Sequence, residues 1–293
     1  MAMPLVETKN LKKYFKTGAG MLHAVEDVNL KIMPGKTLGV VGESGCGKST
    51  LGRTILRLQP ATSGEVLYNG ENILKYKGKD MQKIHLNMQM VFQDPYSSLD
   101  PRMSVHNLIA EPVQVCGLLK TKAEINEHVR EIMDMCGLPA DQANLFPHEL
   151  DGGLRQRVGL ARAMAVSPKF IVCDEPVSAL DVSIQAQILN LLMDLQEQRE
   201  LSYMFITHDL CVVKHISDEI MVMYMGQVVE HAKTAELFAN PVHPYTKALL
   251  HAVPTIDLSK RNREGFMLRG EVTSPINPAP GCRFAPRWPL RNG

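Results

Sequence analysis

The sequence predicts an α/β fold with a buried parallel sheet at its centre and a helical insertion. Three short apolar runs, Thr37–Val41, Phe170–Cys173 and Tyr203–Thr207, are typical of parallel strands that helices cover on both faces. Strand and helix patterns alternate at both ends of the chain, whereas residues 101–167 have an almost entirely helical pattern. The chain is therefore expected to combine an α/β core with a helical subdomain.

Two helices are predicted by stripes of apolar residues at helical spacing. Thr121 and Glu124 are spaced as a capping box at the start of the first of them. The first stripe comprises Ile125, Val129, Ile132, Met133 and Cys136, and the second comprises Ile184, Ile188, Leu191, Leu192 and Leu195.

The composition changes after Pro254, where prolines become frequent in a short segment that also holds Trp288, the one tryptophan of the chain. A domain boundary is therefore predicted near residue 255. It separates a main domain, residues 1–255 with the helical subdomain at about 101–167, from a proline-rich extension, residues 256–293. The prolines of this extension are Pro275, Pro278, Pro280, Pro286 and Pro289.

The bulk properties exclude several classes of function. With 32 basic and 31 acidic residues the net charge is +1, so the broad positive field that gathers nucleic acid is missing. No run approaches the roughly 18 apolar residues of a spanning helix, and the first ten residues do not have the pattern of a signal peptide. The six cysteines lie far apart, which is typical of reduced, cytosolic thiols.

A phosphate-binding loop is predicted at Gly42–Ser49, which reads GESGCGKS and is called the phosphate loop below. It follows the Thr37–Val41 strand and precedes a helical pattern, the context that this motif requires. Glycines let successive N–H groups face a phosphate, Lys48 would reach the outer phosphates and Ser49 a magnesium ion. The alternative is a glycine-rich turn with an incidental lysine. The nucleotide-binding set is Gly42, Glu43, Ser44, Gly45, Cys46, Gly47, Lys48, Ser49 and Thr50.

A pair of acids follows the second apolar strand, in the run KFIVCDE at Lys169–Glu175. A strand of this kind delivers its last residues to the carboxyl edge of the sheet, where ligands of open α/β sheets bind. Asp174 can hold magnesium and Glu175 can polarise an attacking water. The alternative is that the two acids help to start the next helix.

The chain resembles the ABC ATPases over about residues 5–252. The segment ELDGGLRQR at Glu149–Arg157 is similar to the signature segment of that family. Further similar segments are VFQDP with Gln93, SALD ending at Asp181, and FITHD with His208. The resemblance implies the ABC ATPase fold: a P-loop NTPase (RecA-like) core with an antiparallel β subdomain and an α-helical insertion.

Three longer segments are similar to the ATP-binding subunits of oligopeptide, dipeptide and nickel importers: Phe92–Arg102, Asn240–Leu250 and Gly281–Pro289. They imply an ATP-hydrolysing subunit that powers an importer of di- or oligopeptides. Nickel or another small solute is the alternative cargo. A non-transport ABC protein and a module that holds ATP without hydrolysing it are alternatives of a different class.

The resemblance also implies partners and a location. Two ATPase subunits, identical or different, would meet head to tail, with each ATP between one subunit's phosphate loop and the other's signature segment. Two transmembrane permease subunits would bind them at the cytoplasmic face of the membrane, and an extracytoplasmic solute-binding protein would act with them indirectly. The residues implied to face the partner's ATP are Asp151, Gly152, Gly153 and Gln156, with Asp181 in the loop that follows the acid pair.

Roles for individual residues are implied in the same way, with ATP and Mg²⁺ as cofactors. Phe15, or neighbouring Tyr14, would stack on adenine; the alternative is an ordinary core aromatic. Glu175 would be the base or water-orienting group and His208 would hold the γ-phosphate and the water. Gln93 would join magnesium and contact the membrane subunit. The implied catalytic set is Glu175, His208 and Gln93, and the implied magnesium ligands are Ser49, Gln93 and Asp174.

The chain departs from the family pattern at Asp151, where the family has a serine that donates a hydrogen bond to the γ-phosphate. An ionised aspartate can only accept hydrogen bonds and would repel the phosphate. Asp151 can equally cap the helix that begins near Gly152, and the two interpretations are compatible.

Two cysteines lead to further expectations. Relatives of the extension often carry several cysteines that hold an iron–sulfur cluster; this extension has Cys282 alone, so no cluster is expected in this chain. Cys46 lies at a helix N-terminus inside the phosphate loop, which predicts a lowered thiol pKa. Alkylation of Cys46 is expected to block ATP binding by bulk.

Overall fold

The computed structural model describes residues 3–252 and 274–288, which belong to two structural units. The first unit comprises the described residues of Met1–Lys75 and Met204–Gly293, and the second is Tyr76–Tyr203. The strands are β1 Val6–Thr17, β2 Gly20–Ile32, β3 Thr37–Val41, β4 Ser63–Tyr68, β5 Glu71–Asn72, β6 Met88–Val91, β7 Phe170–Asp174, β8 Ser202–Ile206, β9 Glu219–Tyr224 and β10 Gln227–Lys233.

The helices are interspersed with these strands, and short 3₁₀ turns join some of them. The α-helices are α1 Lys48–Ile55, α2 Gly78–Asn87, α3 Pro95–Ser98, α4 Val105–Val115, α5 Lys122–Met135, α6 Gly152–Met164, α7 Val182–Arg199, α8 Leu210–Ile216, α9 Thr234–Ala239 and α10 Pro244–Ala252. None of the helices in the described residues is long and apolar enough to cross a membrane.

The first unit contains an antiparallel sheet of order β2-β1-β4-β5. A two-residue turn joins β1 to β2, because Thr17 pairs with Gly20 at the tip of the hairpin. The register of β1 shifts at several points along this hairpin. This sheet is the antiparallel β subdomain that the family resemblance implies.

The first unit also contains the strands around the phosphate loop, in the order β10-β9-β3, with residues 204–206 of β8 beside β3. Strand β3 pairs in parallel with β9, and β9 pairs in antiparallel with β10. All five residues of β3 are buried, as expected of a strand covered on both faces. The strand has the bounds that the sequence predicts, Thr37–Val41.

The second unit contains the parallel pair β6 and β7 and most of the helices. Strand β7 includes Asp174, one residue beyond the predicted apolar run. Helices α4, α5 and α6 and two 3₁₀ turns fill much of residues 101–167, so this stretch has the helical character that the sequence predicts. The capping box of Thr121 and Glu124 at the start of α5 is also confirmed.

The C-terminal part of the chain is described in two pieces. Helix α10 ends at Ala252, and the predicted domain boundary near residue 255 lies outside the described residues, as does Pro289. The described piece of the extension, residues 274–288, belongs to the first unit and is called the tail below.

Candidate functional site

The phosphate loop joins the buried strand β3 to helix α1, as predicted. The Lys48 side chain is buried, with 4% of the residue exposed. Its ammonium Nζ donates to the backbone oxygens of Gly42 at 2.7 Å and Glu43 at 3.0 Å. The loop therefore curls around one positive charge.

Two glycines of the loop are required by close contacts with neighbouring backbone. Gly47 has φ of 106°, and a Cβ there would lie 2.0 Å from the backbone oxygen of Ala24. Gly42 has φ of 154°, and its Cβ would lie 2.2 Å from the oxygen of Met223. Only a residue without a side chain fits either position.

Helix α1 begins at Lys48, with Gly47 as its N-cap residue. The first turn of a helix presents backbone N–H groups and the positive end of the helix dipole. Together with the Lys48 ammonium, this end of α1 offers two sources of positive potential at one loop. The donor set fits a chain of phosphates, which is the ligand that the sequence predicts.

The expectation of a lowered pKa for Cys46 is wrong. Cys46 is 6% exposed, and this burial raises the pKa of its thiol even though the nearby Lys48 charge acts in the opposite direction. The sequence shows the helix terminus but not the depth of the side chain. Desolvation of the thiolate therefore outweighs the helix dipole. All six cysteines lie in the described residues, and none of them forms a disulfide there.

The second unit brings together three of the predicted residues. Asp174 is the last residue of β7 and is fully buried. Glu175 follows it with φ of 47°, in the left-handed region that non-glycine residues seldom adopt. Gln93 donates from Nε2 to Glu175 Oε2 at 3.0 Å. Backbone strain of this kind costs about 1–3 kcal/mol and concentrates at functional sites.

In the signature segment, the structure confirms that Asp151 caps a helix. Asp151 is the N-cap residue of α6, and its Oδ1 accepts a hydrogen bond from the Leu154 N–H at 2.8 Å. Asp151 and Gly152 are exposed, whereas Gly153 and Gln156 are buried within the unit. Of the four signature residues implied to face the partner's ATP, two are therefore exposed and two are buried.

Asp181 also caps a helix, α7, by accepting hydrogen bonds from the N–H groups of Ser183 at 3.1 Å and Ile184 at 3.0 Å. The Ile184 N–H and the Ser183 side chain lower the pKa of the Asp181 carboxyl. The side chain is therefore ionised at neutral pH and fixed at the helix start.

The two candidate aromatics on β1 differ in their surroundings. The Tyr14 ring stacks on His23 with centroids 4.0 Å apart, and its hydroxyl donates to Glu26 at 2.7 Å. The Phe15 ring is half-buried, with the Lys13 ammonium 4.5 Å from its centroid. Tyr14 is thus fixed in a polar network, which leaves Phe15 as the better candidate for a stacking role.

His208 lies just after β8 and is exposed, at the strand end where the sequence predicts it. It belongs to the first unit, together with the phosphate loop.

Two further residues contact the phosphate loop, and the sequence analysis did not identify them. The hydroxyl oxygen of Tyr245 accepts a hydrogen bond from the Glu43 N–H at 2.9 Å. Arg287 donates to both carboxylate oxygens of Glu43, at 3.1 and 2.9 Å. Both lie in segments that resemble peptide importers, and that similarity is the signal that could have drawn attention to them.

Comparisons with known proteins identify the family of the chain. The family model described as ABC transporter matches residues 25–178, and one described as oligopeptide/dipeptide transporter, C-terminal region, matches residues 229–293. The oligopeptide transport ATP-binding protein OppF of Bacillus subtilis is 54% identical over 90% of this chain and 87% of its own length. OppF of Escherichia coli is 48% identical over 97% of this chain and 85% of its own length.

Solved structures give the same result. A dimeric ATP-binding cassette in a post-hydrolysis state, bound to ADP and Pi, is 30% identical with a TM-score of 0.71, over 78% of this chain and 98% of that one. The cbiO1 protein of Clostridium perfringens, part of an ABC transporter complex, is 26% identical with a TM-score of 0.72, over 81% of this chain and 92% of that one. The chain therefore belongs to the ABC transporter family, among its ATP-binding proteins.

Proposed function

We propose that this protein hydrolyses ATP to power an ABC importer of oligopeptides or dipeptides. The observation that carries the proposal is the phosphate loop, which curls around the buried Lys48 between β3 and α1. The matched C-terminal region and the relatives named oligopeptide transport ATP-binding proteins support peptides as the cargo.

The phosphate loop binds the triphosphate through Lys48 and the N-terminus of α1. The Lys48 ammonium has three donors, so it can stay positioned by its carbonyl acceptors and also donate to phosphate oxygens in stronger, charge-assisted hydrogen bonds. Glu43 contributes to the shape of the loop, because its N–H and carboxylate are directed to Tyr245 and Arg287. Phe15 stacks on the adenine ring.

The family resemblance implies three oxygen donors for Mg²⁺, which is a hard cation. They are the hydroxyl of Ser49, the carboxylate of Asp174 and the amide oxygen of Gln93. When bound, magnesium neutralises charge on the outer phosphates. The left-handed backbone of Glu175 and its contact with Gln93 fix the carboxylate that polarises the attacking water. His208 holds the γ-phosphate and that water.

The active form is a dimer of ATPase subunits, identical or different, that binds two permease subunits at the cytoplasmic face of the membrane and works with an extracytoplasmic solute-binding protein. Asp151 weakens the composite site to which this chain contributes its signature segment. The other site, built on Lys48, Glu175 and His208, depends on the signature segment of the partner subunit.

Two variants of the full chain test the proposal. Lys48→Ala should abolish ATP binding measured by calorimetry, because the loop loses the charge that faces the phosphates. Glu175→Gln should retain ATP binding and lose hydrolysis by at least about a hundredfold, since the general base is removed. Unchanged nucleotide affinity in Lys48→Ala would exclude the site, and full turnover in Glu175→Gln would exclude the catalytic role. Peptide uptake by the reconstituted importer then tests the cargo.

A further inference from the structure

The tail contacts the phosphate loop, which belongs to the same unit but lies far from the tail in the sequence. Arg287 follows Glu43 by 244 residues in sequence, and their side chains are 2.9 Å apart at the closest oxygen. Tyr245 reaches the same loop residue from α10, 202 residues after it. The loop is therefore supported by residues that lie outside the glycine-rich motif.

The first attachment of the tail is to the β1–β2 hairpin. The Met21 N–H donates to Asn277 Oδ1 at 2.9 Å, and the Asn277 N–H donates to the Met21 oxygen at 2.9 Å. Leu22 and Ile276 form an antiparallel bridge beside this pair. These contacts fix the start of the tail at the edge of the antiparallel sheet.

The second attachment is aromatic. Phe284 is 1% exposed and meets the ring of Tyr224 edge-on at 5.4 Å between centroids, with Tyr245 at 5.7 Å. These three aromatic residues share one buried cluster with Val41, the last residue of the strand that leads into the phosphate loop. The tail is thus part of the hydrophobic core beneath the loop.

The contact with Glu43 uses both the backbone and the side chain of that residue. Tyr245 is fully buried, so its hydroxyl accepts the Glu43 N–H from a fixed position. The Arg287 side chain is 9% exposed and the Glu43 side chain 28%, so water screens this ion pair less than an exposed pair. Two independent groups therefore hold one residue at the start of the loop, directly after Gly42.

We propose that Arg287 and Tyr245 are positioning residues for ATP, which hold Glu43 so that the phosphate loop keeps its binding geometry. The inference rests on the proposed binding of ATP at this loop. The Glu43 backbone oxygen is one of the two carbonyls that face the Lys48 ammonium. Displacement of Glu43 therefore moves an acceptor that positions Lys48. Through this path the C-terminal region influences nucleotide affinity without touching the nucleotide.

The matched control for Arg287 is Arg283, which lies in the same segment and is 6% exposed in its side chain. Arg283 donates to the Met225 oxygen and to Glu26 at 3.1 Å, and these partners lie outside the phosphate loop. Loss of either arginine removes a buried cation from the tail. Of these two arginines, Arg287 hydrogen-bonds directly to a residue of the loop and Arg283 does not.

The experiment is a double-mutant cycle on the full chain with Glu43→Gln, Arg287→Met and the double variant, and with Arg283→Met as control. The dissociation constant for ATP with magnesium and the midpoint of thermal unfolding without nucleotide are measured for each protein. Arg287→Met should weaken ATP binding about tenfold, and the double variant should be no weaker than the worse single variant. Arg287→Lys should recover part of the affinity. Arg283→Met should change affinity by less than about twofold at a comparable loss of thermal stability.

The proposal is overturned if Arg287→Met binds ATP like the wild type, or if the two arginine variants lose affinity equally. If Arg287→Met does not fold, Glu43→Gln and Arg287→Lys give the same comparison. Glu43→Gln keeps the size of the side chain, and Arg287→Lys keeps its charge. The Lys48→Ala result separates this outcome from failure of the site itself. If ATP binding requires Lys48 but not Arg287, the proposed function stands and only the positioning role is contradicted.

Discussion

At the scale of single residues, Glu26 is the most connected carboxylate described near the tail. It accepts hydrogen bonds from Tyr14 at 2.7 Å and from Arg283 at 3.1 Å, and it contacts Lys12 at 3.0 Å and His23 at 2.6 Å. Burial by itself raises the pKa of the Glu26 carboxyl. The hydrogen bonds from Tyr14, His23 and Lys12 outweigh burial and hold this pKa at about 2.

This network predicts a loss of stability in acid. Because the pKa of Glu26 is lower in the folded chain than its ordinary value of 4.5, its contribution is complete above that value and is lost as the pH falls towards 2. Glu26→Gln should lower the free energy of unfolding at pH 7 by on the order of 2 kcal/mol, and by much less near pH 2.5. Urea unfolding at the two pH values measures this difference. An equal difference at both would show that the charge of Glu26 has no role.

At the scale of elements, helix α6 begins at a residue that serves two competing requirements. Asp151 accepts the Leu154 N–H as an N-cap, and serine can do the same. Asp151→Ser should therefore retain the thermal midpoint while strengthening ATP-dependent dimerisation and turnover, because a repulsive charge is replaced by a donor. Asp151→Ala, which lacks both properties, should cost about 1 kcal/mol of stability. Unchanged dimerisation and turnover in Asp151→Ser would contradict the electrostatic interpretation.

The elements also differ in how far they could be predicted from the sequence. Strand β3 and helices α5 and α7 have unbroken apolar patterns, so periodicity predicts them directly. Strand β1 does not, because its register shifts between Thr8 and Leu11 and again near Lys13, which breaks the alternation of period two. The antiparallel sheet was therefore expected from family resemblance alone.

The candidate site could likewise be predicted only in part from the sequence. The glycine-rich motif and the acid pair are local patterns, and the sequence contains them whole. The depth of Cys46 and the contacts of Tyr245 and Arg287 with Glu43 depend on residues that only the folded chain brings together. No periodicity or spacing carries that information.

At the scale of the whole molecule, a ligand that binds the folded chain alone should raise its stability. At an ATP concentration one hundred times the dissociation constant, the gain is about 2.7 kcal/mol. Scanning calorimetry with ATP and magnesium should therefore raise the midpoint of unfolding by several degrees. Adenosine, which lacks phosphates, should produce little of this shift, and so should ATP with the Lys48→Ala variant. An equal shift with adenosine would place the binding energy outside the phosphate loop.

The long sequence separation of Glu43 and Arg287 also affects when the phosphate loop gains its contacts during translation. Ribosomes add roughly 5–20 residues per second, so the 244 residues between the two positions require roughly 10–50 seconds of synthesis. The nascent phosphate loop lacks both of its supports until Tyr245 has been made, and it lacks one of them until Arg287 has been made. Nucleotide capture during translation is therefore expected to lag behind formation of the β1–β2 hairpin, and to mature only when Arg287 has emerged from the ribosome.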